Sequence, residues 1–237
     1  MNGLDRGKIA RRRFIQWCLL PIVPITIALG WKYPLLGFSV LLVMITAMAG
    51  GVLGGRYVCG TLCPRGSFFD RIVQKISFNS PIPTAFRNKK FRWLLFAAMM
   101  GFMIFRISQN PTSMVHWGRV FWLMCVITTV IGLTVGILIH PRAWCAFCPM
   151  GTMQNALGGR KYQLKIDAEA CLECGLCEKA CPLSLPIVKY KNDGFVQNTD
   201  CLNCPECAAA CPVNALTRTA SKSTLVSSEA SQYDNVN

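Results

Sequence analysis

The chain has 237 residues, of which 52% are hydrophobic and only 15% are charged. This composition is too apolar for an ordinary soluble domain, and because the apolar residues come in blocks it indicates a membrane protein. The formal net charge of +14 does not indicate a nucleic-acid-binding protein, since the cations stand beside the ends of the apolar blocks, where they set the orientation of membrane spans.

Four apolar stretches predict four membrane spans, at residues 14–31, 35–55, 93–105 and 120–139. About 20 apolar residues cross a bilayer, so the third stretch is short by that measure. Either its helix extends through Ile107, Ser108 and Gln109, with the side chains of Arg92 and Arg106 reaching the interfaces, or it is a half-buried or interfacial helix that does not cross. With four crossings, residues 14–160 form a four-helix transmembrane domain.

The positive residues are distributed unevenly between the two sides. They are concentrated in a basic tail at residues 1–13 and in the loop between residues 56 and 92, whereas the opposite loops hold Lys32 in one and Arg106 with Arg119 in the other. Because positive loops stay in the cytoplasm, we expect both termini inside. The predicted location is a bacterial inner (cytoplasmic) membrane.

Each pair of spans is followed by a similar cysteine motif, Cys-x2–3-Cys-Pro-x-Gly-Ser/Thr, with its Cys-Pro part at residues 59–64 and 145–149. This predicts a repeated two-helix hairpin, whose equivalent parts meet around a pseudo-two-fold axis. Four thiols would then converge at the membrane edge, which is the number that an iron–sulfur cluster or a structural metal needs. They belong to Cys59, Cys63, Cys145 and Cys148. Redox-active or unligated thiols are the alternative.

Two further runs near the C-terminus read Cys-x2-Cys-x2-Cys-x3-Cys-Pro, the bacterial spacing for two [4Fe–4S] clusters. In this spacing the fourth cysteine of each run ligates the other cluster. The first cluster is assigned to Cys171, Cys174, Cys177 and Cys211. The second cluster is assigned to Cys201, Cys204, Cys207 and Cys181. Zinc sites and disulfides are less suitable, because zinc sites usually pair two separate knuckles.

The two runs predict a small α+β ferredoxin-like domain with two [4Fe–4S] clusters at residues 161–216. Residues 217–237 are Ser-rich without an apolar pattern, which is typical of a disordered tail. The apolar spacing at residues 68–76 predicts a helix lying along the inner membrane face.

Several other residues are candidates for a role near these centres. Arg56 and Arg142 precede the two Cys-Pro motifs and either offset the charge of a thiolate-bound centre or mark the membrane boundary. His140 either tunes the neighbouring centre or simply ends the fourth span. His116 lies in an outer loop, as a quinone or proton contact or as an interfacial residue. The two histidines are on opposite faces, so a bis-histidine haem is excluded.

In combination, the four spans, the paired Cys-Pro motifs and the double cysteine run resemble the NapH/MauN-type membrane ferredoxins, from about residue 8 to residue 216. The resemblance implies an electron-transfer subunit of a quinol dehydrogenase. It would take electrons from the membrane quinone pool and pass them, through a second iron–sulfur or cytochrome subunit, towards a periplasmic reductase in anaerobic respiration. An accessory factor that donates electrons to metal-centre assembly, and a redox sensor, are the alternatives.

The chain departs from the family pattern at one point. Two residues separate the cysteines of its second Cys-Pro motif, where the first motif has three. The ligand geometry of the second motif is therefore left open by the sequence.

Overall fold

The computed structural model describes residues 3–158 and 162–218. The predicted boundary between the membrane and ferredoxin-like domains, at 160/161, and the tail beyond residue 218 lie outside these ranges. The α-helices described are α1 (Gly3–Leu19), α2 (Ile22–Gly30), α3 (Phe38–Gly54), α4 (Pro64–Arg71), α5 (Lys89–Ser108), α6 (Met114–Leu138), α7 (Ala143–Phe147), α8 (Pro149–Gly158), α9 (Leu176–Ala180) and α10 (Glu206–Ala210). The β-strands are β1 (Leu164–Ile166) and β2 (Leu216–Arg218).

Four helical segments are long and apolar enough to cross a membrane, which agrees with the number predicted. They are Gly7–Gly30, Pro34–Gly54, Lys89–Ser108 and Met114–Leu138. The first consists of α1 and α2, which are separated at Pro21, where a main-chain N–H is missing. Helix α1 already begins at Gly3, so the basic segment expected as a tail is helical in its described part.

The third segment is longer than its uncharged core. Helix α5 has 20 residues, which is enough to span a bilayer, and it extends beyond the predicted 93–105 at both ends. The Asn88 side chain caps its start by accepting a bond from the Lys90 N–H at 2.9 Å. Of the two alternatives for this segment, the structure therefore contains the extended helix.

Small residues let the helices approach closely. A Cβ atom built on Gly118 of α6 would lie 2.3 Å from the Pro34 carbonyl oxygen, and one on Gly158 of α8 would lie 1.9 Å from the Gly51 carbonyl oxygen of α3. Membrane helices associate through such contacts because lipid tails give no hydrophobic force between them. Glycine at these positions therefore fixes how α6 and α8 sit against the first hairpin.

The prediction of a surface helix at residues 68–76 is wrong. Helix α4 ends at Arg71 and a 3-10 turn, Val73–Lys75, follows it. Phe69 and Val73 are completely buried, where they pack against Trp144 of the second motif. Helical apolar spacing shows that one face is buried, but it does not distinguish burial in lipid from burial in protein.

The C-terminal part forms a small module on one end of the spans. Strands β1 and β2 pair antiparallel, with Leu164 opposite Arg218, and the short helices α9 and α10 pack together beside them. The module core is continuous with Ala143 and Ala146 of the second Cys-Pro motif. At Gly60 a Cβ atom would lie 2.5 Å from the Leu202 carbonyl oxygen, so the first motif also touches the module.

Candidate iron–sulfur sites

The two Cys-Pro motifs have equivalent backbones despite their unequal spacing. In the first, the Cys63 N–H donates to the Val58 carbonyl, five residues back, within a π-helical turn. In the second, the Cys148 N–H donates to the Trp144 carbonyl, four residues back, at the end of α7. The π-turn absorbs the extra residue. Both motifs therefore end on a cysteine in the same local backbone position.

Each second cysteine is followed by a helix that its proline starts. Pro64 begins α4 and Pro149 begins α8, a position where the missing N–H has no cost. The hydroxyl of the motif Ser or Thr then donates back to the cysteine carbonyl: Ser67 Oγ lies 3.0 Å from the Cys63 oxygen, and Thr152 Oγ1 lies 3.1 Å from the Cys148 oxygen. The residues after each cysteine therefore hold it at a helix start.

Two buried arginines cross between the motifs. Arg56, which precedes the first motif, donates to the Cys145 carbonyl of the second at 2.7 Å. Arg142, which precedes the second, donates to the Cys59 carbonyl of the first at 3.0 Å. The motif glycine makes room for the arriving guanidinium, since a Cβ atom on Gly66 would lie 2.7 Å from Arg142 Nη1. A Cβ atom on Gly151 would lie equally close, 2.7 Å, to Arg56 Nη2.

Each arginine is also held by one buried carboxylate. Arg142 is 1% exposed, and it donates to Asp70 of α4 through Nε at 2.6 Å and Nη2 at 2.7 Å. Arg56 donates to Asp200 in the C-terminal module at 3.0 Å. Burial on its own would raise the pKa of Asp70, but the guanidiniums of Arg142 and Arg12 outweigh it and hold that pKa below its ordinary value.

The sequence reasoning missed both carboxylates. The signal that could have found them is the small number of acidic residues in the chain, 11 in all. Asp70 lies within residues 68–76, for which the sequence predicts a helix at the membrane surface. The sequence places Arg12 in the basic segment that sets the orientation of the spans, yet in the structure Arg12 is 4% exposed, is ion-paired to Asp70 at 2.7 Å and contacts Glu206 of the module. Buried charge in a chain this apolar has to be paired.

The structure brings the four motif cysteines to one place, at the end of the spans that carries the module. The thiols of Cys63, Cys145 and Cys148 are all close enough to influence the ionisation of Cys59. Burial raises the pKa of the Cys59, Cys145 and Cys148 thiols, so iron binding here would have to release protons. Within residues 3–158 and 162–218, no group of three or more His, Cys, Asp or Glu is arranged to hold a single metal ion.

The two C-terminal cysteine runs also have matching backbones. Glu173 and Asn203, each between the first two cysteines of its run, both have φ of +52°. Ser184 and Asn214, each three residues after a fourth cysteine, have φ of +48° and +53°. Left-handed non-glycine residues are uncommon. Their recurrence at equivalent positions shows that the two runs trace the same loop.

The second predicted ligand set converges in the structure. One enclosed cavity in the module is lined by Cys181, Cys201, Cys204 and Cys207, which are the four residues assigned to that cluster. Burial raises the pKa of Cys207, and the neighbouring Cys204, Cys201 and Cys181 thiols raise it further. Ionising these thiols in an apolar core is costly unless the thiolates share a cationic centre.

The first predicted set is more open. Cys174 is exposed, Cys171 and Cys177 are half-buried, and Cys211 is buried. The Cys177 thiol lies near Cys171, and burial raises its pKa to about 11. The Ala215 N–H points at the Cys211 sulfur at 3.3 Å, as main-chain donors do at cluster thiolates. Cys171, Cys177 and Cys211 adjoin the same core, and the ligand assignment stays a prediction for both clusters.

The two histidines have structural contacts at opposite ends of the spans. His116 Nε2 lies 2.7 Å from the Arg106 carbonyl and so ties the start of α6 to the end of α5. His140 accepts a bond from the Arg142 N–H at Nδ1, at 3.3 Å, and approaches Ser184 of the module at 3.4 Å. His140 is thus next to the crossed arginines, whereas His116 is remote from every cysteine motif.

Comparison with known proteins assigns the cysteine motifs to iron–sulfur families. The 4Fe-4S binding domain matches twice, over residues 36–83 and 119–166, so each match holds one span and the Cys-Pro motif after it. The 4Fe-4S dicluster domain matches residues 163–212. Together the two descriptions cover both kinds of cysteine motif. No solved structure matches the chain.

Curated relatives point the same way. An uncharacterized protein of Methanocaldococcus jannaschii is 24% identical over 163 residues, covering 65% of this chain and 64% of the relative. The methylamine utilization ferredoxin-type protein MauN is 28% identical in Methylorubrum extorquens over 55% of this chain, and 28% identical in Paracoccus denitrificans over 55%. The chain spans 48% and 50% of the length of these two MauN proteins.

The dicluster domain and the MauN relatives support an iron–sulfur electron-transfer protein, and the four long apolar helices are consistent with a multi-pass membrane protein. The resemblance to the NapH/MauN-type ferredoxins, which the cysteine motifs predict, is confirmed by the MauN matches and by both domain matches.

Proposed function

We propose that this protein oxidises a membrane quinol and passes the electrons through two [4Fe–4S] clusters to a partner redox chain that feeds a periplasmic reductase. The observation that carries the proposal is the convergence of Cys181 and three cysteines of the other run on one cavity of the module, directly beside a membrane domain. A carrier dissolved in the bilayer would therefore meet clusters held at the membrane edge.

The cysteines would hold the clusters as the spacing predicts. Cys171, Cys174, Cys177 and Cys211 bind the first cluster. Cys201, Cys204, Cys207 and Cys181 bind the second. When bound, such clusters accept and release single electrons, which suits the two one-electron steps that turn a quinol into a quinone with loss of two protons. The chain's own part is to bury the thiols and to aim main-chain N–H groups at them.

A third centre at the Cys-Pro motifs is part of the proposal. Cys59, Cys63, Cys145 and Cys148 would hold an iron–sulfur cluster or a metal there. Its support is the exchange of Arg56 and Arg142 between the motifs, since two guanidiniums beside four thiols offset the negative charge of a thiolate-bound centre. The same exchange supports a duplicated hairpin, because each interaction of one motif recurs in the other.

The finer description of the fold also belongs to the proposal. Residues 14–160 are the four-helix membrane domain and residues 161–216 a ferredoxin-like α+β module, for which the β1–β2 pair and the helices α9 and α10 are the support. The excess of positive charge on the module side of the spans supports a cytoplasmic module and an inner-membrane location. The partner would be a second iron–sulfur or cytochrome subunit.

Anaerobically purified protein in proteoliposomes tests the function. We expect a reduced quinol to bleach the cluster absorbance, and about eight iron atoms per chain for the two clusters, with more if the third centre contains iron. Cys171→Ser should remove one cluster's EPR signal and spare most of the other. Cys59→Ser should leave both module clusters detectable. Cluster absorbance that no quinol bleaches would contradict quinol oxidation and favour a role in metal-centre assembly.

A further inference from the structure

A cavity of about 180 Å³ lies between the four candidate spans. Each span contributes to its wall, for example through Thr26 of α2, Val40 of α3, Met100 of α5 and Thr128 of α6. At its other end it reaches the two Cys-Pro motifs, and all four motif cysteines line it. It therefore connects the interior of the membrane domain to the proposed third centre.

The wall of this cavity is rich in methionine. Six of the ten methionines of the chain line it: Met44, Met99, Met100, Met103, Met124 and Met150. Their flexible, polarisable thioethers adapt to an occupant and make favourable contacts with ring edges. Phe69, Phe121 and Trp144 add aromatic surface, which stacks with or packs edge-on to a flat ring. The lining suits a planar apolar ring better than a bundle of acyl chains.

Three residues of the wall each keep a buried N–H without an acceptor. They are Arg56 and Arg65 at Nε and Trp144 at Nε1, for which the described part of the chain offers no hydrogen-bond partner. Guanidinium and indole groups can only donate, and an unpaired buried donor is costly. An occupant of the cavity that brings acceptor oxygens would remove this cost.

Arg65 is the most informative of the three. Arg56 is already paired with Asp200, whereas the contacts of Arg65 are long ones to Cys125, at 3.4 Å to its carbonyl and 3.6 Å to its sulfur. Arg65 also stands directly after Cys63 and Pro64, at the junction of the apolar cavity and the motifs. It is placed to hold the oxygen of a ring that lies in the cavity.

We infer that this cavity binds the ring of a lipid-soluble quinone, with a ring oxygen accepting from Arg65 and the ring packed among the methionines. The inference rests on the proposed function, since it gives the quinol of that proposal a place and names the residues that recognise it. Binding there would set the ring beside the four motif cysteines.

Direct binding to the oxidised holoprotein in detergent tests the inference. Decylubiquinone should quench tryptophan fluorescence, and Trp144→Phe should remove much of the quenching. Arg65→Leu should weaken binding by about ten- to a hundredfold, because a hydrogen bond from a charged donor is lost, with Arg65→Lys in between. The matched control is Arg106→Leu, since Arg106 Nε is also buried without an acceptor but lies outside the cavity; its binding should equal that of the wild type.

A second variant keeps the test decisive if Arg65→Leu fails to fold. Met124→Trp fills the cavity and should abolish quenching while the cluster absorbance is retained. Wild-type quinone affinity in both variants would overturn the inference. It would also be overturned if phosphatidylglycerol displaced the quinone from the wild type but not from Arg65→Leu, because the cavity would then be a lipid site. Quinol that still bleaches the clusters of Met124→Trp would refute this site but not the function. Quinone binding to the wild type without any bleaching of the clusters by quinol would refute the proposed function but not this binding site.

Discussion

Arg142 connects three parts of the site. Its guanidinium joins the carboxylate of Asp70, the carbonyl of Cys59 and, at 3.6 Å, the sulfur of Cys145. Removing one member of a buried ion pair leaves the other charged and desolvated, which usually costs more than the pair contributes. Loss of this cation would therefore disturb the arrangement of the two motifs.

Arg142→Gln should lower the free energy of unfolding by about 3 kcal/mol, since Asp70 keeps Arg12 as a remaining partner but loses its two bonds to Arg142. Thermal unfolding in detergent measures the loss. The control is Lys191→Gln, because Lys191 and Glu173 form an exposed pair at 2.7 Å that contributes little in water. Equal shifts in Tm for the two variants would contradict the role given to Arg142.

At the scale of residues, the sequence identifies the candidate cysteine ligands better than the buried carboxylates that hold the neighbouring arginines in place. Cysteine spacing is a local pattern, so the twelve candidate ligands could be named in advance. Asp70 and Asp200 could not, because each pairs with an arginine far away in the chain, 72 residues for Asp70 and 144 for Asp200. Of the two explanations offered for Arg56 and Arg142, their complete burial favours charge compensation over a boundary marker.

At the scale of helices, glycine decides which elements touch. The backbone of α6 passes the Pro34–Gly37 turn so closely that a side chain at Gly118 would collide with a main-chain carbonyl. A backbone cannot yield as a flexible side chain does, so the two elements would have to separate. The close approach of α6 to the second span thus requires glycine at position 118, where even the methyl group of alanine would collide with the Pro34 carbonyl.

Gly118→Ala should therefore destabilise the membrane domain by about 1–3 kcal/mol, although alanine is the better helix former by about 0.5–1 kcal/mol. Gly101→Ala is the matched control, since Gly101 lies within α5 with nothing within 4 Å of a Cβ atom there. It should be neutral or slightly stabilising. Thermal unfolding of the two variants in the same detergent gives the comparison, and a Gly118→Ala protein as stable as Gly101→Ala would refute this packing argument.

Elements were predictable where composition alone determines them. The spans follow from uncharged length, and the α5 segment needed only its flanks, Lys89 to Arg92 and Arg106 to Ser108, to become long enough. Segment 68–76 could not be placed, because its apolar face is covered by the second Cys-Pro motif rather than by lipid. The π-turn at Val58–Leu62 could not be predicted either, since the extra residue between Cys59 and Cys63 does not by itself show how the backbone accommodates it.

At the scale of the whole molecule, the module depends on its cysteines for its core. Residues 162–218 hold two strands of three residues each and two helices of five residues. Domains of this size are marginal without a metal or disulfides, and Cys204, Cys207 and Cys211 are themselves part of the buried core. The clusters would then stabilise the fold as well as carry electrons.

Removal of iron should accordingly unfold the module and leave the spans intact. Hydrogen–deuterium exchange, compared between the holoprotein and chelator-treated protein, should show lost protection over residues 164–218 and unchanged protection in α6. The reason is that metal binding free energy becomes folding free energy where no preformed site exists. Protection of the module that survives complete loss of iron would show that its apolar core suffices.

Asp200 is a buried polar attachment between the module and the membrane domain. This carboxylate is 5% exposed; it accepts bonds from Arg56 at 3.0 Å, Arg92 at 2.6 Å and Asn155 at 3.2 Å. The three donors belong to three different parts of the membrane domain. The acidic side chain next to Cys201 therefore helps to fix where the second proposed cluster lies relative to the spans.

Asp200→Asn should loosen this attachment without removing the clusters. The amide keeps the shape but not the charge, so Arg56 and Arg92 are left buried without their anion, at a cost of about 3–5 kcal/mol. We expect faster exchange at residues 56–63 and quicker proteolysis between the domains, with cluster absorbance retained. Asp193→Asn is the control, because Asp193 is exposed and bonds only Gln197 among the described residues. If Asp200→Asn exchanged like the wild type, the module would be held by its apolar contacts at Gly60 and Ala143 and by the ion pair between Arg12 and Glu206, and Asp200 would not be needed for the attachment.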